Sequence, residues 1–338
     1  IHFSKEEFKE RQSRVIKELK KQGLDALLMF KQESMYWLTG YDTFGFVFFQ
    51  CLILTVKGDL ILLTRAPDLR QAQNTSIIKD IKIWVDKDKS NPSDHLKNIL
   101  IDLGLEKSNL GIEYEAYGLT GRNAIRLNIS LNNFASLHDK SELISHFRVI
   151  KSATEITYVR KAAELADKAM EAAWKVAHSG ISESKILAEM QGAVFNGGGD
   201  YPANEFIIGS GKNALLCRYQ SEKRNLEEID QLSIEWAGTY KHYHSAMFRT
   251  IPIGKINDKQ IKMYDACAET LKACENKLKP GSTAGEVFDV HAKTFDKLDY
   301  KNSRMNACGY SLGALFAPNW MDWPMLYTGN PYVIQPGN

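Results

Sequence analysis

The sequence has few cysteines, and their arrangement excludes two kinds of small stabilised fold. Five cysteines are scattered among 338 residues, an odd number with no Cys-x-x-Cys spacing. A disulfide framework and a zinc knuckle are therefore not expected. Free thiols are typical of a reducing compartment, so the cysteine pattern predicts a cytoplasmic protein.

The sequence also lacks long apolar runs and any large excess of charge. No apolar run approaches the roughly 20 residues of a membrane-spanning helix, and the first residues lack the apolar segment of a secretory signal. The formal net charge is +2, which gives no electrostatic reason to bind nucleic acid or an anionic membrane. We therefore expect neither nucleic acid nor membrane as a partner.

The composition is that of a globular protein with room for two domains. The chain is 25% charged and 44% hydrophobic, and at roughly 150 residues per domain its length predicts two cores. Amphipathic stretches in residues 1–150 alternate with short apolar runs at 24–30, 47–55, 59–63, 81–85 and 110–112. This alternation predicts an α/β domain with a mostly parallel or mixed sheet.

Residues 151–338 have a different pattern. Two amphipathic helices, over 151–177 and from Ser182, precede strand-like segments, and two more helices follow over 258–278 and 283–298. Helix pairs followed by strands, twice over, predict a pseudo-duplicated α+β domain. The sequence closes on the turn-like Gln335-Pro336-Gly337, so we expect a further strand or two beyond Asn338 and a domain truncated at its carboxy-terminus.

The sequence contains no Gly-x-Ser-x-Gly and no phosphate-binding glycine pattern. A glycine cluster at 197–199 leads into Asp200 and Tyr201, either as a flexible connection or as a loop that shapes a pocket. Glu235 lies inside an apolar strand. An unpaired buried carboxylate costs several kcal/mol or has a raised pKa, so Glu235 is expected to be paired or functional.

Two histidines and one arginine are further candidates. Strand alternation predicts that His242 and His244 share a face, where they could ligate a metal with Glu235 or be hydrogen-bonded structural residues. Arg218 lies in an apolar setting and could bind a substrate carboxylate or form a structural ion pair. Trp236 and Tyr310 could line a pocket or belong to the core.

These motifs resemble those of the creatinase/prolidase/methionine-aminopeptidase superfamily over essentially the whole chain. The resemblance is carried by Tyr36-Trp37-Leu38-Thr39-Gly40, Gly199-Asp200-Tyr201-Pro202, Glu235-Trp236-Ala237-Gly238, Arg249-Thr250 and Gly309-Tyr310-Ser311-Leu312-Gly313. It implies an α/β amino-terminal domain over residues 1–150 and an α+β catalytic domain of "pita-bread" fold over residues 151–338.

The metal-dependent peptidases of this superfamily bind two divalent ions with two aspartates, a histidine and two glutamates. Here Glu235 stands at the first aspartate position, Ala246 at the second and Tyr310 at the histidine, while the two glutamates would fall beyond Asn338. Alanine has no donor atom, so the resemblance implies neither a dinuclear site nor a metal cofactor. The same substitutions resemble the metal-free branch, that of creatinase and ectoine hydrolase.

Two positions depart from that branch. Phe48 stands where creatinase has an arginine that holds the substrate carboxylate across the dimer interface, with Phe46 retained as the aromatic partner. Arg218 stands where the branch has its catalytic histidine. An arginine stays protonated near neutral pH, so either His244 or Glu235 takes the proton-transfer role, or the reaction differs from that of the branch.

The resemblance then implies a homodimeric, metal-independent hydrolase of a C–N bond in a small amidino or cyclic compatible-solute-like molecule. We expect Glu235 and His244 to be catalytic, and the amino-terminal domain to lie near the partner's pocket. The expected substrate-binding residues are Arg218, Asp200, Tyr201, Trp236, Tyr310, Phe46 and Phe48. The alternatives are a metal-dependent Xaa-Pro aminopeptidase, dipeptidase or related lyase, and a non-catalytic binding protein.

Overall fold

The computed structural model describes residues 1–338 and divides them into two compact units, Ile1–Arg148 and Val149–Asn338. None of the helices is both long enough and apolar enough to cross a membrane.

The first unit is built on a mixed sheet of six strands in the order β4-β3-β2-β1-β5-β6. Pairing is antiparallel between β1 and β2 and between β2 and β3, and parallel elsewhere. The strands are β1 Ala26–Met29, β2 Cys51–Thr55, β3 Leu60–Arg65, β4 Asp80–Trp84, β5 Asn109–Ile112 and β6 Ser136–Asp139. The helices are α1 Lys5–Lys21, α2 Gln32–Thr39, α3 Leu69–Thr75, α4 Pro92–Asp102, α5 Gly121–Leu131 and α6 Leu143–Arg148. The predicted mixed α/β character is confirmed.

The central strand of this sheet shows how the alternation builds two cores. All four residues of β1 are buried, with Ala26 and Leu28 in one apolar cluster and Leu27 and Met29 in the other. A strand covered by apolar residues on both faces reads as a continuous apolar run in the sequence, as β1 does. By contrast, β6 is mostly exposed and has no apolar run, which is why the sequence did not predict it.

The second unit repeats the order of helices followed by antiparallel strands. Its helices are α7 Ala153–Val176, α8 Glu183–Asn196, α9 Asp258–Lys277 and α10 Ala284–Lys297. Its strands are β7 Ile207–Ser210, β8 Asp230–Tyr240, β9 Tyr243–Ile253, β10 Ala307–Ser311 and β11 Asp322–Tyr327. They form a sheet in the order β7-β8-β9 and a separate β10-β11 pair. This arrangement agrees with the predicted α+β character and adds the pair, which the sequence analysis did not identify.

Helix α7 packs directly on the backbone of β8. A Cβ atom added at Gly238 would lie 1.9 Å from the Ala162 carbonyl oxygen, so only glycine fits between strand and helix. Beside it, the Trp236 indole Nε1 donates a hydrogen bond to the Ala166 carbonyl at 2.9 Å. This face of β8 is therefore closed by α7, and only the opposite face can carry a site.

Candidate functional site

Strands β8 and β9 form a long hairpin whose turn fixes the face of every residue. Lys241 and His242 are the two turn residues, with φ of 50° and 65°, as two-residue hairpin turns require. The register pairs Glu235 with Phe248 and Ala237 with Ala246. Directly opposed residues share a face, so Glu235 and Ala246 lie on the face that α7 does not cover.

Glu235 is half-buried on this face, and its carboxylate accepts no hydrogen bond from the chain. Burial raises the pKa of the Glu235 carboxyl, and the positive charge of Arg218 acts in the opposite direction. A carboxylate removed from water without hydrogen-bond donors is costly in a purely structural role. Glu235 therefore remains a candidate functional carboxylate.

Arg218 lies on the exposed connection between β7 and β8. Its guanidinium Nη1 donates a hydrogen bond to the adjacent Cys217 carbonyl at 2.6 Å. Its charge reaches the Glu235 carboxylate electrostatically, without a direct ion pair. Arg218 therefore keeps most of its donors available to solvent or to a ligand.

The connection that carries Arg218 is anchored at its far end. Arg224 Nη1 donates to the Asp230 carboxylate at 2.6 Å and to the Ser210 hydroxyl at 2.7 Å. The Ser210 hydroxyl in turn donates to the buried Glu183 carboxylate at 2.6 Å. These contacts tie the segment after Arg218 to the start of β8 and the end of β7.

Tyr310 on β10 is the third group at this site. Its hydroxyl oxygen accepts a hydrogen bond from the Trp320 indole Nε1 at 3.1 Å, which leaves the phenolic proton available. Burial raises the Tyr310 pKa, the Trp320 hydrogen bond lowers it, and the negative charge of Glu235 raises it further. Glu235, Arg218 and Tyr310 are thus the predicted residues that the structure brings together.

His244 lies in the protein core instead. It is 0% exposed, its Nε2 accepts a hydrogen bond from the Ala203 amide at 2.9 Å, and its Nδ1 faces the Gly313 carbonyl at 3.4 Å. Burial lowers its pKa to about 4. Because both ring nitrogens contact backbone groups, this geometry is that of a neutral structural histidine and does not support the predicted proton shuttle.

The structure corrects the expected alternation of His242 with His244. His242 belongs to the hairpin turn and stacks on Phe316, with the ring centroids 4.1 Å apart. Asp200 contacts the same turn, since its carboxylate accepts a hydrogen bond from the Lys241 amide at 2.5 Å. Asp200 therefore holds the hairpin turn, a structural role that the sequence analysis did not consider.

Trp236 and Tyr201 lie in very different environments. Trp236 is 0% exposed on the α7 face of β8, opposite to Glu235, because neighbouring strand residues point to opposite faces. Tyr201 is 80% exposed and packs edge-to-face on Phe195, with centroids 4.8 Å apart. The alternation of the strand therefore places Trp236 away from Glu235, whereas the predicted contact of Tyr201 with substrate remains a prediction.

Phe46 and Phe48 lie in the first unit. Phe46 is buried at 5% exposure, whereas Phe48 is 50% exposed with the Arg65 guanidinium 4.0 Å above its ring. Their predicted contact with substrate remains a prediction.

Phe248 is a candidate pocket residue that the sequence analysis missed. It lies directly opposite Glu235 and is 54% exposed, an unusual environment for a phenylalanine within a sheet. The signal that could have found it is a two-residue turn at Lys241-His242, because that turn fixes the register.

Of the superfamily's metal-binding positions, those of Glu235 and Ala246 lie on the uncovered face of the hairpin, and that of Tyr310 lies near Glu235 on β10. Glu235 supplies carboxylate oxygens, Ala246 supplies no donor, and the Tyr310 oxygen already accepts the Trp320 hydrogen bond. Among residues 1–338, no three His, Cys, Asp or Glu side chains are arranged to hold a metal ion. The residues present here do not fit a dinuclear metal site.

Comparison with known proteins shows two matching families. Residues 157–338 match metallopeptidase family M24, and residues 11–150 match the creatinase/prolidase N-terminal domain. Ectoine hydrolase of Halomonas elongata is 27% identical, with 100% of this chain and 88% of the relative covered. A Xaa-Pro dipeptidase of Pyrococcus horikoshii is also 27% identical, over 97% of this chain and 89% of the relative.

Solved structures show the same fold. A prolidase from Thermococcus sibiricus superposes with a TM-score of 0.86 at 22% identity, over 98% of this chain and 87% of that one. The prolidase from Pyrococcus horikoshii gives a TM-score of 0.82 at 24% identity, over 97% and 88% of the two chains. The predicted fold class and the predicted superfamily are both confirmed.

Proposed function

The chain belongs to metallopeptidase family M24 and is a hydrolase that acts on a C–N bond; from this premise we propose that its substrate is a small amidino or cyclic compatible-solute-like molecule and that no metal ion takes part. One observation carries the proposal. Glu235 is a half-buried carboxylate that accepts no hydrogen bond from the chain, with the charge of Arg218 nearby. The similarity to ectoine hydrolase supports this substrate class.

The charges of the site suit a zwitterion. A carboxylate such as Glu235 matches the paired N–H donors of an amidinium, and a guanidinium such as Arg218 matches a carboxylate. Tyr310 can add a neutral hydrogen bond because its own proton is not used within the chain. A substrate that carries both charges would therefore be oriented by two fixed opposite charges.

Proton transfer in this proposal belongs to Glu235. Its carboxylate accepts the proton of the attacking water and then, as a carboxylic acid, delivers it to the departing nitrogen as the C–N bond breaks. A carboxyl with a raised pKa is suited to both steps, because base and acid strength are better matched near neutral pH. The same group acts twice, so His244 is not required as a shuttle and instead positions the backbone around Ala203.

Metal independence is supported by the donor set rather than by any absence of an ion. Ala246 offers no ligand atom on the Glu235 face, and the Tyr310 hydroxyl oxygen, at the position of the superfamily's ligand histidine, already accepts the Trp320 hydrogen bond. The replacement of metal ligands at two positions of the same site, Ala246 and Tyr310, favours a reaction without metal.

A metal-dependent Xaa-Pro dipeptidase is the second candidate. The observation in its favour is that the Pyrococcus horikoshii dipeptidase is as similar in sequence as ectoine hydrolase. A dipeptide is also a zwitterion, so the charges of Arg218 and Glu235 do not separate the two candidates.

We also propose that the protein is a cytoplasmic homodimer in which the amino-terminal domain closes the partner's pocket. The first unit exposes Phe44, Val47 and Phe48 within one short segment, with exposures of 68%, 47% and 50%. Exposed apolar clusters of this kind are typical of interfaces. Light scattering of the wild type and of Phe48→Ser tests this; a wild-type monomer with full activity contradicts it.

The deciding experiment measures turnover with and without metal. Protein dialysed against chelator is assayed on cyclic amidines, amidino acids and Xaa-Pro dipeptides, with metal content measured in parallel. We expect chelator-resistant turnover of the first two classes. Turnover of Xaa-Pro dipeptides that depends on bound metal supports the second candidate, and tight binding without turnover indicates a binding protein.

Variants then test the site. Glu235→Gln should lower kcat by on the order of 100-fold or more, the usual contribution of a general acid–base group. Arg218→Ala should raise KM by roughly 10- to 100-fold, the equivalent of one charged hydrogen bond of about 1.5–3 kcal/mol. Glu205→Gln and Lys212→Ala, exposed residues of the same region, are the matched controls. Wild-type kinetics in both test variants place the site elsewhere.

A further inference from the structure

Phe248 lies directly opposite Glu235 on the uncovered face of the hairpin. The two residues are register partners in β8 and β9, and directly opposed residues have Cβ atoms about 4.5–5.5 Å apart. The Phe248 side chain is 54% exposed, and no ring or cation of the chain lies against it. An open aromatic ring therefore stands beside a carboxylate that accepts no hydrogen bond from the chain.

The neighbouring positions on the same face leave this ring open. Ala246 and Thr250 lie two residues before and after Phe248, and both have small side chains. The Thr250 hydroxyl lies 3.4 Å from the Ser233 hydroxyl, so these two polar groups are paired with each other. Glu235 is the only acidic side chain that β8 and β9 place on this face.

This combination of groups favours a planar cation. The face of an aromatic ring attracts cations, and a carboxylate matches the paired N–H donors of an amidinium. A delocalised planar cation is weakly hydrated and stacks on aromatic rings, whereas an ammonium is a strongly hydrated point charge. An amidinium can therefore bind the Glu235 oxygens with its edge and the Phe248 ring with its face, and an alkylammonium lacks the flat face for the second contact.

We propose that Phe248 selects substrates with a planar amidinium over substrates with an ammonium group, by stacking on the cation that Glu235 holds. This role rests on the proposed function, in which Glu235 binds the charged end of the substrate. It separates the two candidate substrate classes, which the charges of Glu235 and Arg218 do not, because an amidino compound presents a planar cation and a dipeptide presents a tetrahedral ammonium.

The test measures the binding of three small probes of similar size: acetamidinium, its neutral isostere acetamide, and isopropylammonium. Dissociation constants come from NMR titrations of the intact protein, which require no turnover. We expect acetamidinium to bind the wild type more tightly than either other probe, and Glu235→Gln to lose this preference. Failure of acetamidinium to bind, or equal binding of isopropylammonium, would overturn the proposal.

Substitutions of Phe248 separate ring stacking from simple apolar contact. Phe248→Leu should weaken acetamidinium binding by roughly three- to thirtyfold, the usual contribution of a cation on a ring face, and should change acetamide binding little. Phe248→Trp should retain acetamidinium binding, because tryptophan presents the best ring face for a cation. Trp174→Leu removes an exposed ring on α7 and is the matched control, with wild-type binding expected. Equal losses for acetamide and acetamidinium in Phe248→Leu would contradict stacking.

Ring fluorination tests the electrostatic origin of the effect. Phenylalanine with one, two or three ring fluorines at position 248 keeps nearly the same ring size while it reduces the negative potential of the ring face. Acetamidinium affinity should fall stepwise along this series, and an affinity that does not change would overturn the proposal. Circular dichroism checks the fold of each variant, and the fluorinated proteins still decide the question if Phe248→Leu does not fold.

The same variants distinguish this role from the proposed hydrolysis. Acetamidinium binding that depends on Phe248, without turnover of any amidino compound, would contradict the hydrolysis alone. Turnover of amidino compounds with the same kcat/KM in the wild type and in Phe248→Leu would contradict the role of Phe248 alone.

Discussion

Acidification should destabilise the second unit through His244. The ring is fully buried and neutral, with Nε2 accepting from the Ala203 amide and Nδ1 facing the Gly313 carbonyl. Protonating Nε2 removes this acceptor and places a charge in the core. The perturbation is therefore a pH decrease from 7 to 4, compared between the wild type and His244→Gln, whose amide oxygen can still accept from Ala203.

The magnitude follows from the pKa. Burial lowers the His244 pKa from 6.5 to about 4, and each pKa unit corresponds to about 1.4 kcal/mol. The unfolded chain binds this proton more readily than the folded chain, so stability falls as the pH falls from 6.5 toward 4. The His244 contribution, about 3 kcal/mol, is fully present at pH 7 and is lost below pH 4.

The assay is urea unfolding at several pH values between 4 and 7, together with NMR titration of the histidine ring protons. We expect the stability difference between the wild type and His244→Gln to shrink by about 3 kcal/mol across this range. A His244 ring that titrates near 6.5 would refute the reasoning. Equal stability of the two proteins at every pH, with turnover abolished in His244→Gln, would instead restore the predicted catalytic role.

Three further predictions concern other buried contacts. Burial raises the pKa of Glu113 from 4.5 to about 7, although hydrogen bonds from Ser34 and two backbone amides act in the opposite direction. The folded state therefore binds this proton more tightly than the unfolded chain, and the stability falls as the pH rises from 4.5 to 7. Glu113→Gln should remove this dependence of stability on pH in denaturant titrations. Gly238→Ala should destabilise the second unit by about 1–3 kcal/mol in urea unfolding because its Cβ would overlap the α7 backbone, whereas the control Gly192→Ala, with open space around it, should not. Arg224→Met should lower the free energy of unfolding by about 1–3 kcal/mol because it leaves Asp230 without its cation. It should also raise KM more than it lowers kcat, since it releases the segment that carries Arg218. Unchanged kinetics would show that this segment does not belong to the site.

The sequence predicted most elements that have a strong local signal. Ser4 caps α1 by accepting from the Glu7 amide, and Ser152 with Glu155 forms the capping box of α7, as helix-start patterns indicate. The elements it missed have weak signals. Strands β10 and β11 are short and only partly buried, so no apolar run marks them.

The sequence alone determined which residue types could perform the chemistry. An acidic residue within an apolar strand made Glu235 a candidate, and the resemblance implied from Ala246 and Tyr310 that metal ligands are missing. These conclusions depend on residue identity and local pattern, which the chain carries without folding.

Only the tertiary structure decided what each candidate contacts. The hairpin register separates Glu235 from Trp236 by the two faces of one strand, and burial makes His244 a core residue with both nitrogens on the backbone. Such contacts join segments that are distant in the sequence. Because burial and the contacting groups set the pKa of each side chain, composition and spacing do not determine the role of that residue.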